Sequence, residues 1–172
     1  MTNTSPSTSL FLVKSLTPIE VLVVESNSAD ALRTMTAFRA AGLTNGMHSV
    51  REGVDALNYL RREGAHAEAR VPDLIFLDVP EPRISALHAL KLIKSTPALM
   101  HIPVVVSAAA ADDGFVQAVY ALHGSGFIRK PDELMQFLRC IDSCYEYWIS
   151  VVSLERKPQA VVGRRAAGAA AI

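Results

Sequence analysis

Apolar and polar positions fall in alternating blocks between residues 19 and 152, and the blocks read as five strand–helix units. Ile19 to Val24 is β-branched and apolar on both faces, the pattern of a strand buried between two layers. The polar run Glu25-Ser26-Asn27-Ser28 follows, with residues able to cap a helix that starts near Ala29. That helix is expected to bury Leu32, Met35, Phe38 and Ala41, and Gly42 ends it. A poorer strand, Met47 to Val50, precedes a helix over Val54 to Arg62 with Leu57, Tyr59 and Leu60 available for burial. Asp73 to Asp78 is a second clear strand, and the loop Val79-Pro80-Glu81-Pro82-Arg83 opens at its acidic end. A helix striped by Leu87, Leu90 and Ile93 breaks near Pro97.

Ile102 to Ser107 is a third buried strand, followed by a helix near Gly114 to His123. The short strand Gly126-Phe127-Ile128 runs into Lys130-Pro131, and proline suits the first turn of the last helix. Leu134, Phe137, Leu138 and Ile141 form that helix's stripe, which continues through Tyr145, Trp148 and Val152. Strands alternating with helices predict a parallel sheet covered on both faces. The near-continuous apolar runs belong in its middle and the weaker second and fifth strands at its edges. This is a doubly wound α/β sandwich of order 2-1-3-4-5, with its crevice beyond the carboxyl ends of the central strands. Residues 1–17 are expected to be a flexible N-terminal segment, 18–154 the folded domain with an extended last helix, and 155–172 a mobile Ala/Gly/Arg-rich tail.

Composition narrows the function. Of 172 residues half are apolar, and 17 basic residues balance 17 acidic ones. The chain therefore has a core, and it lacks the broad charge that grips nucleic acid or anionic membrane. Two cysteines, Cys140 and Cys144, make no disulfide framework and have no zinc spacing. No apolar run approaches a membrane span, and the Ser/Thr-rich start is a poor signal peptide, so a cytoplasmic setting is expected. No Gly-rich phosphate loop follows the first strand, and the five histidines are scattered.

The predicted topology delivers Glu25, Ser26, Asp78, Ser107 to Ala109 and Lys130 to one crevice. Two carboxylates facing a lysine could hold a divalent cation and stabilise the phosphoryl group of an acyl phosphate. Between Ile19 and Cys144 the sequence resembles a response-regulator receiver domain of two-component signalling. The resemblance lies in Val21 to Glu25, Asp73 to Asp78 with the following Pro82, Ile102 to Val106, and Lys130-Pro131. Tyr147 to Leu154 is similar to the ending of small regulators encoded beside phytochrome histidine kinases. The resemblance implies a flavodoxin-like fold and a non-enzymatic signalling module.

By the same resemblance, Asp78 is the phosphoacceptor, fed by a histidine kinase or phosphotransfer protein, and Lys130 contacts the phosphoryl oxygens. Mg²⁺ would sit among Glu25, Asp78, the Pro80 carbonyl and position 26, where Ser26 replaces the family's second acid and weakens the site. Counting from Pro103, the family's switch hydroxyl falls on Ala108, whereas Ser107 is expected to face the other way. Phe127 holds the aromatic switch position. The aromatic end of the last helix, Tyr145, Trp148 and Val152, is expected to form a homodimer interface. Nucleic acid and membrane are not expected partners. Ser26 and Ala108 also support an alternative: a degenerate pseudo-receiver that binds partners without phosphorylation.

Overall fold

The computed structural model describes residues 19–43, 46–80 and 83–151. Five strands are formed by Val21–Val24 (β1), Met47–Val50 (β2), Leu74–Asp78 (β3), Val104–Ala108 (β4) and Gly126–Arg129 (β5). Five helices connect and follow them: Ser28–Ala40 (α1), Gly53–Arg61 (α2), Ile84–Ser95 (α3), Asp113–Ala121 (α4) and Leu134–Tyr145 (α5). All strand pairs are parallel, in the order β2-β1-β3-β4-β5. The fold class and strand order are those the apolar pattern predicts: β1, β3 and β4 are wholly buried, whereas the edges β2 and β5 are partly open.

Strand alternation divides the core. Leu22, Ile75, Leu77, Val104 and Val106 face Ala56, Leu60, Leu90, Ile93 and Val119 on the α2–α3–α4 side. Val21, Val23, Phe76 and Val105 face Phe38, Phe137 and Ile141 on the α1–α5 side. There the Phe38 and Phe76 rings meet edge to face at 5.8 Å, a pairing that adds about 1 kcal/mol to the area they bury. Gly53 lets α2 approach α3 closely, because a Cβ at that position would lie 2.7 Å from Ala89 Cβ.

Three side chains expected in the core or at an interface lie elsewhere. Leu32 is 62% exposed, and α1 instead buries Ala31, Thr34, Ala37 and Phe38. Asn27 fixes that phase by capping α1, its Oδ1 accepting from the amides of Ala29 and Asp30. Leu134 stands at the first turn of α5 and is 51% exposed. Tyr145, expected at a dimer interface, is 5% exposed and packs into its own chain. Its hydroxyl lies 3.1 Å from where Gly42, at φ +116°, would carry a Cβ. Beyond α5 the chain continues as a π-helical turn over Glu146–Val151; Trp148 lies half-buried there, and Val152 falls outside the described residues. Among the described residues no helix is long and apolar enough to cross a membrane.

Candidate functional site

Parallel strands deliver their carboxyl ends to one edge of the sheet, so Glu25, Asp78 and Lys130 arrive together although they are up to 105 residues apart. Asp78 closes β3 and is 9% exposed. Its Oδ1 accepts a hydrogen bond from the Ser107 hydroxyl at 2.7 Å and faces Lys130 Nζ at 3.1 Å. Lys130 Nζ also donates to Glu25 Oε2 at 2.8 Å and lies 3.6 Å from Asp30 Oδ2. One ammonium thus faces three carboxylates.

The surroundings set the proton affinities. Burial raises the Glu25 pKa above its ordinary 4.5; hydrogen bonds from Lys130 and the Asn27 amide oppose the rise, and the Asp78 charge adds to it. Burial acts to lower the Lys130 pKa, but its bond to Glu25 and the charge of Asp78 outweigh this and raise it above 10.5. The lysine therefore stays charged across the physiological range.

The hydroxyl beside Asp78 corrects the expectation drawn from counting. Ser107 is the residue paired with Asp78 across β3 and β4, and laterally paired residues share a face of the sheet. Ser107 therefore faces the Asp78 carboxylate. Ala108, assigned the switch position, points to the other face and is buried in the α2–α3–α4 core. Alternation was the right rule, applied from the wrong origin. Phe127 is half-buried in β5, packs on that same core, and meets Phe115 edge to face at 6.0 Å. Asp30 was missed as well: an acid in the first turn of a helix reads as a partner of the helix dipole, and only the folded chain brings it to Lys130.

Asp78 also borders an open cleft of about 450 Å³, lined by Ser26, Pro80, Arg51, Glu52, Ser85 and His88 among others. Its oxygen donors include the Asp78 and Glu52 carboxylates, the Ser26 hydroxyl and the Pro80 carbonyl. Glu25 is turned from it, with Oε2 on Lys130 and Oε1 accepting from the Asn27 amide. Among the described residues no three His, Cys, Asp or Glu side chains converge as a metal cluster. Asp78, with the neutral oxygens of Ser26 and Pro80 beside it, fits a magnesium ion that keeps most of its water. A second hollow of about 690 Å³ lies between α4, β5 and α5, lined by Tyr120, Phe127, Arg139, Cys140, Tyr147 and Trp148 among others.

Comparison with known proteins agrees with the fold. The polar-differentiation response regulator DivK of Brucella anthropi is 30% identical over 128 residues, spanning 73% of this chain and 95% of its own. The crystal structure of the phosphorylated cyanobacterial phytochrome response regulator RcpA matches with 33% identity and a TM-score of 0.76, over 81% of this chain and all of that one. The Mn²⁺-bound form of response regulator Rcp1 matches at 27% identity and a TM-score of 0.75, over 81% of this chain and all of that one. No protein-family model matches the chain. The chain belongs to the response-regulator receiver family of two-component signalling.

Proposed function

We propose that this protein is a single-domain response regulator that accepts a phosphoryl group on Asp78 from a histidine kinase or phosphotransfer protein. The observation that carries this reading is the asymmetry of the Asp78 carboxylate: Ser107 and Lys130 both engage Oδ1, so Oδ2 is left for attack from the cleft. In the transfer, Oδ2 forms a bond to phosphorus as the phosphorus–nitrogen bond of the donor phosphohistidine breaks, and the imidazole leaves with the bonding pair and gains a proton. Such transfers depend on positioning and charge neutralisation. Lys130 supplies fixed positive charge, and Ser107 holds the carboxylate in place. A Mg²⁺ ion at Asp78, Ser26 and the Pro80 carbonyl would supply further neutralisation of the phosphoryl oxygens when bound.

Output follows from protein contacts at the α4–β5–α5 face, as expected of a cytoplasmic signalling module rather than of an enzyme with turnover. Trp148 and Tyr147 border the hollow on that face and suit a homodimer contact; Tyr145 is spent on the chain's own core. A Trp148→Ala variant measured by size exclusion with light scattering is expected to be monomeric, and an unchanged dimer places the contact elsewhere.

The engagement of Glu25 by Lys130, together with Ser26, favours a second reading as a pseudo-receiver that works unphosphorylated. Treatment with acetyl phosphate and Mg²⁺, resolved on a phosphate-affinity gel beside Asp78→Asn, separates the two. A shifted band lost in the variant supports the phosphoacceptor. If there is no shift even at high Mg²⁺, the pseudo-receiver reading stands.

A further inference from the structure

The loop between β4 and α4 runs Ala109-Ala110-Ala111-Asp112, and its three alanines offer no polar side chain with which to hold it in place. Arg83, from the loop after β3 and Asp78, supplies the hold. Its Nη2 donates to the Ala110 carbonyl at 2.9 Å, and its Nη1 lies 3.9 Å from Asp112 Oδ2. Its guanidinium lies over the Phe115 ring, 4.6 Å from the centroid, a contact that suits the flat, weakly hydrated cation of arginine. Arg83 is only 22% exposed, whereas Asp112 is 77% exposed. The carbonyl and the ring are therefore stronger partners than Asp112. Phe115 in turn meets Phe127 edge to face, and Phe127 borders the hollow between α4, β5 and α5. A continuous series of contacts runs from the segment after Asp78, through Arg83 and Phe115, to Phe127.

We propose that Arg83 is a positioning residue that couples the loop after Asp78 to the α4–β5 face, by holding the Ala109–Asp112 loop and the Phe115 ring in one arrangement. The two-state element is this loop, held or released by the guanidinium. Ala108 points away from Asp78, so a hydroxyl relay at that position is absent, and the arginine–phenylalanine contact provides a separate route to Phe127. That the route carries a phosphorylation signal rests on the phosphoacceptor reading.

Hydrogen–deuterium exchange on the full chain tests the coupling in two arms. Without donor, Arg83→Ala is expected to speed exchange about tenfold in residues 109–116 and also in 126–129, while β1 keeps its wild-type rate. Phe115→Leu is expected to act alike on 126–129, the double variant to go no further than either single, and Arg83→Lys to restore part of the protection. Acceleration confined to 109–116, or additive effects of the two variants at 126–129, overturns the coupling. In the second arm, phosphoramidate and Mg²⁺ are added. Wild type and Arg83→Ala are expected to gain the same phosphate mass on Asp78, with the change at 126–129 present in wild type and lost in the variant. Equal changes in both proteins overturn the proposal. If wild type gains no phosphate, the phosphoacceptor reading fails, while the first arm still decides the coupling.

Discussion

Replacing Ser107 with alanine deletes a single hydroxyl, the one that donates to Asp78 Oδ1 at 2.7 Å from a fully buried position. A hydrogen bond to a charged group contributes about 1.5–3 kcal/mol. Because Lys130 remains 3.1 Å from the same oxygen, the carboxylate is not orphaned, and the lower end applies: about 1.5 kcal/mol. With a urea dependence of about 2 kcal/mol per molar, the unfolding midpoint falls by about 0.7 M at unchanged slope. Ala108→Ser is the companion variant. It adds a hydroxyl on the opposite, apolar face, and burial without a partner destabilises by about 1–3 kcal/mol without aiding Asp78. Both proteins are to be unfolded in urea and followed by far-UV circular dichroism, then labelled with acetyl phosphate. If Ser107→Ala unfolds like wild type while Ala108→Ser gains phosphorylation, the β3–β4 register is wrong and the count from Pro103 is right.

Lys130→Met leaves Glu25 and Asp78 facing each other without a cation, and loss of one partner of a buried pair destabilises by about 3 kcal/mol at pH 7. The raised Lys130 pKa means that wild type holds this advantage from pH 7 up to 10.5 and loses it as pH rises through the folded-state value; urea midpoints across that range check both statements. Ser26→Asp adds a carboxylate to the cleft beside Asp78 and is expected to tighten Mg²⁺ or Mn²⁺ about tenfold in isothermal titration. An unchanged affinity would show that the cleft does not hold the ion. Burial pushes the Cys144 thiol up to about 12, so maleimide at pH 8 is expected to modify the half-buried Cys140 and to reach Cys144 only after unfolding, as counted by intact mass. Above pH 9 the unfolded chain loses the Cys144 proton before the folded one does, so stability falls there.

The sheet order was legible because burial on both faces erases the period-two signal, and β1, β3 and β4 all show that erasure. Asp78, Ser26 and Lys130 were legible because position at a strand's carboxyl end is a property of the sequence once the strands are found. What stayed hidden depends on register or rotation. Ser107 meets Asp78 because of how β4 slides against β3, whereas the sequence pattern aimed its hydroxyl at the opposite face. Leu32 was assigned to the core because α1 is rich in alanine and its apolar face is weakly marked; the Asn27 cap fixed the phase that buries Thr34 instead. Tyr145 was read as surplus to the core because its partner, the positive-φ turn at Gly42, is invisible in a list of aromatics. Arg83 carried no signal at all, since the carbonyl and the ring it engages lie in other segments.

The dependence of the acidic cluster on Lys130 bears on how the chain is made. Asp78 and Lys130 are 52 positions apart in the sequence, and a ribosome adds about 5–20 residues per second. For roughly 3–10 s, then, Glu25 and Asp78 have left the peptidyl-transferase centre before their cation has been synthesised. Docking β1 against β3 in that interval would crowd two carboxylates with nothing between them. The nascent sheet is thereby discouraged from closing early, and arrival of the fifth strand both completes the sheet edge and removes the repulsion. In this protein the residue that neutralises the acidic pair is also the last of the three to be synthesised.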